Sequence, residues 1–196
     1  MGTLLKPPLA PFVKHLQAKF GLRTFVETGT FQGASAAFAS AIFPQVVTIE
    51  IQPTYFEAAR KTLAPASNVS CVLGDSRTEL PKAVAGLSGP ALFWLDGHAG
   101  GGHFGDTEDC PLLDELAAIA ASPFEHFILI DDARAFLAPP PPPFDPDRWP
   151  SLPQVIEAAR ARHPYDCVAI VDTLICTPAA ARADVRQFCN WVRPKI

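Results

Sequence analysis

Apolar positions along this chain fall into blocks that switch between helical and strand-like spacing. Phe12, Val13, Leu16 and Phe20 recur at helical intervals, and Gly21 follows as a stop. Thr24–Glu27 then reads as a short strand. Ala34, Ala37, Phe38, Ala41 and Ile42 mark a small-residue helix over Gly33–Phe43 that can lie close to a sheet. Val46–Glu50 predicts a second strand. Pro53 suits the first turn of the next helix, with Tyr55, Phe56, Ala59 and Leu63 inward and Glu57 and Lys61 an exposed pair one turn apart. Val69–Leu73 predicts a third strand, followed by a helix through about Ala85. Ala91–Asp96 and Phe127–Asp131 are continuous apolar runs, as in strands covered on both faces. Between them, Leu112, Leu113, Leu116, Ile119 and Ala120 mark a helix that Pro111 helps to start, with Asp109 its expected cap. Ser151 and Gln154 form a capping box for a helix to about Arg162. Val168–Val171 and Leu174–Thr177, joined by Asp172 and Thr173, predict a terminal β-hairpin. Val185–Val192 is weakly helical and takes no role from the sequence.

Strand–helix alternation that ends in a hairpin gives an α/β layered domain with right-handed crossovers. The 196 residues fit one domain. It divides into an N-terminal helix (1–22), a core (24–177) and a C-terminal tail (178–196). Apolar residues make up 48% and charged residues 18%, which excludes a disordered chain. The net charge of −4 argues against a nucleic-acid or anionic-membrane partner. No apolar stretch reaches the roughly 18 residues of a membrane span, and the first residues lack the core of a signal peptide. Five cysteines without zinc spacing read as free thiols of a cytoplasmic protein. Pro139–Pro143 reads as a stiff surface loop or a wall beside the substrate.

In open α/β sheets, ligands bind beyond the carboxyl ends of the strands. After the first strand comes Glu27-Thr28-Gly29-Thr30-Phe31-Gln32-Gly33. Gly29 allows a tight turn beside a ligand. The loop lacks the GxGxxG of a diphosphate cradle, and an acid two residues before the glycine suits a cationic amino group better. A plain strand-to-helix turn is the other reading. Glu50 closes the second strand, where a carboxylate can accept both ribose hydroxyls or simply be solvated. Asp75, after the third strand, could accept from an adenine amino group or cap the next helix. Asp96, then Gly97 and His98, follow the fourth strand, and Asp131 and Asp132 follow the fifth. Three converging carboxylates repel one another, and a hard divalent cation such as Mg²⁺ would remove that cost. The alternative is that Asp131 or Asp132 caps its strand or binds a backbone amine.

Taken together, these strand-end residues resemble the class I S-adenosylmethionine-dependent methyltransferases. The resemblance spans residues 24 to 177. It implies a Rossmann-like, doubly wound, seven-stranded sheet, mostly parallel, with a terminal antiparallel β-hairpin. Glu27 and the loop of Thr28, Gly29, Thr30 and Gly33 would hold the methionine part of the cofactor. Glu50 would hold the ribose, with Asp75 and Ser76 towards the adenine side, and Asp96 would also touch the cofactor. Thr30 stands where the commoner loop has a middle glycine. The acids after strands four and five are similar to those of metal-dependent macrocin and sugar O-methyltransferases and the cephalosporin hydroxylase-like group. That likeness implies Mg²⁺ on Asp96, Asp131 and Asp132, and a hydroxyl acceptor on a small molecule. Asp96 and His98 are then the catalytic candidates, His98 as base or extra ligand.

The remaining candidates lie around this centre. Gly100–Gly102 would let the strand-four loop act as a lid that carries His103, and Asp106, Glu108 and Asp109 could add ligands. Arg134 could meet an acidic substrate or pair with the neighbouring aspartates. Phe104, Phe136, Phe144 and Trp149 are candidate apolar contacts or plain packing. The substrate wall could also come from a second subunit of a homodimer. Missing motifs argue against an NAD-linked dehydrogenase and an amine methyltransferase. A metal hydrolase would leave Glu27 and Glu50 unexplained. A non-catalytic S-adenosylmethionine-binding module stays open.

Overall fold

Five short strands run parallel because each returns through a helix, and the last two turn back as a hairpin. In the computed structural model, which describes residues 3–5, 7–98, 110–138 and 145–193, these seven strands form one sheet. They are β1 (Thr24–Thr28), β2 (Gln45–Glu50), β3 (Val69–Leu73), β4 (Ala91–Leu95), β5 (Phe127–Ile130), β6 (Asp166–Ile170) and β7 (Thr173–Thr177). Their order is β3-β2-β1-β4-β5-β7-β6. Only β7 runs against its neighbours, pairing antiparallel with both β5 and β6. The Gly100–Gly102 run, His103, Phe104, Asp106, Glu108, Asp109, Pro139–Pro143 and Phe144 lie outside the described residues.

The helices are α1 (Leu9–Phe20), α2 (Ala34–Ser40), α3 (Pro53–Leu63), α4 (Ser76–Ala85), α5 (Leu112–Ala120), α6 (Leu152–Ala159) and α7 (Arg182–Val192). None is long and apolar enough to cross a membrane. Strand residues alternate between two cores. Phe25, Leu92, Trp94 and Leu129 pack with α1, α2, α3 and α7 on one face. Val26, Phe93, Leu95 and Ile128 pack with α4, α5 and α6 on the other. Burial on both faces explains why β1, β4 and β5 lack a polar alternation. The strand order reverses between β1 and β4, which puts the ligand crevice of such a sheet at their carboxyl ends.

The helix signals in the sequence correspond to real caps. Gly21 takes a left-handed conformation after α1, Pro53 opens α3, and the Ser151–Gln154 capping box starts α6. Three details differ. Tyr55 and Phe56 are only half-buried, and Glu57 meets Arg60 at 3.4 Å. The helix from Ser151 stops at Ala159, short of Arg162. The hairpin turns one residue early, at Val171 and Asp172, with φ of 52° and 60°. Tertiary contacts set that register. Thr173 is buried in β7, and the Asp172 carbonyl and carboxylate accept the N–H groups of Ala133 and Arg134.

The C-terminal helix has a clear structural role. Phe188 stacks on Phe12 of α1 with ring centroids 4.2 Å apart. Asp184 accepts from Lys19 at 2.8 Å and pairs with His15 at 2.7 Å. Burial opposes the Asp184 charge, but Lys19 and His15 outweigh it and hold the pKa below the carboxylate norm. Asp184→Ala is therefore expected to lower stability at pH 7 by about 1–2 kcal/mol. Because the native pKa is depressed, that loss should fade as acid protonates the wild-type carboxylate, which paired melting curves at pH 7 and pH 3 would show.

Candidate active site

The site begins where β1 and β4 come too close for a side chain. Gly29 has φ +81°, and a Cβ there would lie 2.2 Å from the Asp96 carbonyl oxygen. Its N–H bonds the Ile49 carbonyl of β2 at 2.9 Å, so the turn is tied to strands on both sides. Gly33, at φ +82°, brings the start of α2 against Ala59 and Leu63 of α3. Beneath this loop Glu27 is fully buried. The Thr48 hydroxyl donates to Glu27 Oε2 at 2.6 Å and lies 2.5 Å from the Thr30 hydroxyl. Glu27 Oε1 has no hydrogen-bond partner. Burial is the main cause that pushes this carboxyl up to about 8, against the Thr48 and Ser35 hydroxyls, with Asp96 and Glu50 adding repulsion. A buried acceptor oxygen with no donor suits a cationic ligand group, whose charge would restore the ionised carboxylate that burial disfavours.

Glu50 closes β2 and is 5% exposed. Its carboxylate accepts from the backbone N–H of Phe31 at 2.7 Å and of Gln52 at 2.8 Å. Glu50 thus also fixes the loop after β1. Of the two readings open for Asp75, the cap is what the structure contains. Its carboxylate accepts from the Arg77 N–H at 2.9 Å at the start of α4, and the Arg77 guanidinium lies 3.2 Å away. Ser76 is buried beside it.

On the other side of the switch point, one ligand atom each from Asp96, His98 and Asp132 lie within 4.8 Å of one another. Burial is the largest influence on Asp96, and with Asp131 and Asp132 nearby its carboxyl rises to about 7 despite His98. Burial would lower His98, but Asp132 and Asp96 reverse the sign and raise it. The His98 ring meets Phe136 and Trp149 edge-on at 5.6 and 5.8 Å. Those two rings are buried and stack on each other, so they act as packing around His98. Asp131 stands outside the group of three. Its Oδ1 accepts the Asp132 N–H at 2.9 Å. Asp132 adopts φ 52°, which turns its side chain away from the line of β5. Arg134 binds Asp132 Oδ1 at 2.8 Å and also pairs with Asp172, which settles it as a partner of the aspartates.

Two site residues were missed from the sequence. Thr48 is the polar residue inside an apolar strand, a signal that it faces another polar group. Glu115 looks like an exposed acid in the first turn of α5, yet it is 1% exposed. Its place between Leu112 and Ile119 on the inward stripe was the available clue. A Cβ on Gly97 would lie 3.1 Å from Thr28 Oγ1 and 3.2 Å from Glu115 Oε1, so all three crowd together under the strand-four turn. Burial raises the Glu115 pKa, against the Ser76 and Thr28 hydroxyls and His98. An amide keeps the size of this side chain without placing a charge in the buried site. Glu115→Gln is expected to melt close to the wild type, whereas Glu115→Ala should cost about 2–4 kcal/mol in denaturant unfolding. A surface groove of about 860 Å³ runs along α6 from Leu152 to Pro164 and includes none of these groups.

No protein-family model matches the chain, and no curated protein matches it in sequence. Solved structures do match in shape. An O-methyltransferase from Bacillus cereus in complex with S-adenosylhomocysteine superposes with a TM-score of 0.61 at 16% identity, covering 88% of this chain and 81% of its own. The O-methyltransferase TomG from Streptomyces achromogenes, involved in tomaymycin synthesis and bound to S-adenosylmethionine, gives 0.54 at 19%, covering 87% and 80%. The 23S rRNA methyltransferase ErmE gives 0.51 at 15%, covering 87% and 68%. At these identities the likeness is one of architecture: the chain has the Rossmann-like fold of the class I S-adenosylmethionine-dependent methyltransferases.

Proposed function

We propose that this protein is an S-adenosylmethionine-dependent methyltransferase that methylates a hydroxyl of a small molecule with the help of a divalent cation. The observation that carries the reading is the row of carboxylates at four adjacent strand ends. Glu27, Glu50, Asp75 and Asp96 lie at or just beyond the carboxyl ends of β1, β2, β3 and β4. Neighbours with the same fold hold the cofactor or its demethylated product. Their names also include an rRNA enzyme, so the acceptor has to be argued from this chain. A net charge of −4 and a cluster of acids disfavour a polyanion and suit a small neutral or cationic acceptor.

Glu27 would receive the ammonium of the methionine part on its unpartnered Oε1. Glu50, fixed by two N–H groups, would accept the ribose hydroxyls. Gly29 would let the backbone approach the cofactor closely. The cofactor supplies a methyl on a cationic sulfur; the acceptor oxygen bonds to that carbon as the carbon–sulfur bond breaks, leaving S-adenosylhomocysteine. A cation held by Asp96 and Asp132 would lower the pKa of the acceptor hydroxyl. The hydroxyl proton passes to a side chain of the Asp96–His98–Asp132 group.

The test is turnover. With methyl-labelled S-adenosylmethionine and a panel of phenolic and sugar hydroxyl acceptors, label should move to oxygen, and a chelator should stop it. Transfer to nitrogen, or transfer indifferent to chelation, would refute the corresponding half of the reading. Cofactor binding without transfer to any acceptor would favour a non-catalytic binding module.

A further inference from the structure

Three side chains from two neighbouring strand ends converge without satisfying one another. Asp96 follows β4 directly, His98 comes two residues later, and Asp132 lies just beyond β5. The His98 side chain is 3% exposed, and its Nε2 makes no hydrogen bond. Asp132 Oδ2 stands 3.6 Å from that nitrogen, too far for one. Phe136 and Trp149 hold the ring edge-on, so Nε2 is presented in a fixed direction. Asp132 is held from one side. Arg134 holds Oδ1, which leaves Oδ2 on the His98 side. Asp131, by contrast, uses Oδ1 to bind the Asp132 N–H. It orients Asp132 from behind.

We infer that His98 is a metal ligand, and that Asp96, His98 and Asp132 form a one-nitrogen, two-carboxylate site for a transition-metal dication such as Mn²⁺, Fe²⁺, Co²⁺ or Zn²⁺. This differs from the Mg²⁺ site that Asp96, Asp131 and Asp132 would make. Mg²⁺ favours oxygen ligands and keeps several waters, whereas imidazole suits the first-row transition metals. Three protein ligands leave positions open for water and an acceptor oxygen, as in catalytic metal sites. With Nε2 held by the ion, His98 would not be free to take the hydroxyl proton. The inference rests on the metal-assisted reading above.

The full chain, stripped with a chelator, would be titrated with Mn²⁺, Co²⁺ and Mg²⁺ in a calorimeter. One ion per chain is expected, with Mn²⁺ and Co²⁺ bound at least ~30-fold more tightly than Mg²⁺. Pulsed electron paramagnetic resonance of the Mn²⁺-loaded wild type should show nitrogen modulation from a directly bound imidazole. That measurement needs no variant, so it holds even if His98→Ala fails to fold. If His98→Ala folds, both the nitrogen signal and the preference over Mg²⁺ should vanish. No bound ion, equal affinity for Mg²⁺, or a Mn²⁺ spectrum without nitrogen would overturn the inference. Titrating S-adenosylhomocysteine with chelator present tests the cofactor reading separately. Failure there with the metal site intact would sink methyl transfer and leave the ion site standing.

Discussion

Replacing Gly29 with alanine is expected to abolish binding of S-adenosylmethionine and to cost roughly 3 kcal/mol or more of stability. Two penalties combine. A left-handed backbone costs an L-residue about 1–2 kcal/mol. The new Cβ would also lie 2.2 Å from the Asp96 carbonyl oxygen, and both partners are backbone, so no flexible side chain can yield. Relief would push β1 away from β4 and widen the crevice between Glu27 and Asp96. Gly21 supplies the control. It too is left-handed, with φ +62°, but a Cβ there meets nothing within 4 Å. Gly21→Ala should therefore show the conformational penalty alone, and unfolding of the two variants in denaturant would isolate the clash. Equal losses would mean that β1 and β4 part freely, and the crevice would not be a rigid one.

Glu27→Gln should move stability and binding in opposite directions. Burial raises the native pKa of Glu27 from 4.5 to about 8. Between those values the folded protein holds a proton that the unfolded chain releases, so the stability contributed by this group falls as pH rises. Below pH 4.5 the contribution is fully present, and above pH 8 it has been lost. Glutamine does not titrate, so the variant should gain on the wild type across that window, by an amount on the order of a few kcal/mol at pH 8 and little at pH 4.5. An ammonium ligand reverses the ranking. Loss of a charge-assisted bond to Oε1 should weaken S-adenosylmethionine by roughly 10- to 100-fold. Melting curves over pH, with and without the nucleoside, would show both effects.

Much of this architecture was legible because strand ends in an α/β sheet are where polar residues survive among apolar runs. VETGT, VTIE, LGDS and LDGH each show an acid where a mostly apolar strand runs out, and the four strands lie side by side in the sheet. What stayed hidden depended on contacts distant in sequence. Asp131 and Asp132 look equivalent as a pair, but successive residues of an extended chain face opposite sides. The left-handed backbone of Asp132, with Arg134 and Asp172 beside it, brings Asp132 into a group with Asp96 and His98, while Asp131 still raises the Asp96 carboxyl. Glu115 was hidden by its place in a helix first turn, where an acid normally meets the dipole and water. The hairpin register depended on Ala133 and Arg134 gripping Asp172. The C-terminal helix is too polar to announce itself, and its buried Phe188 and Asp184 find partners on α1, far away in sequence.

Calorimetric titration of S-adenosylmethionine at pH 7, in two buffers of different ionisation enthalpy, asks most directly whether these acids grip a cationic nucleoside. One molecule should bind per chain and drive about one proton off Glu27, since the carboxyl must ionise to meet an ammonium. The proton should be missing with Glu27→Gln, affinity should drop with Glu50→Ala, and NAD should give no heat. Silence with S-adenosylmethionine, or binding that neither releases a proton nor responds to either substitution, would mean that the strand-end carboxylates serve some other ligand.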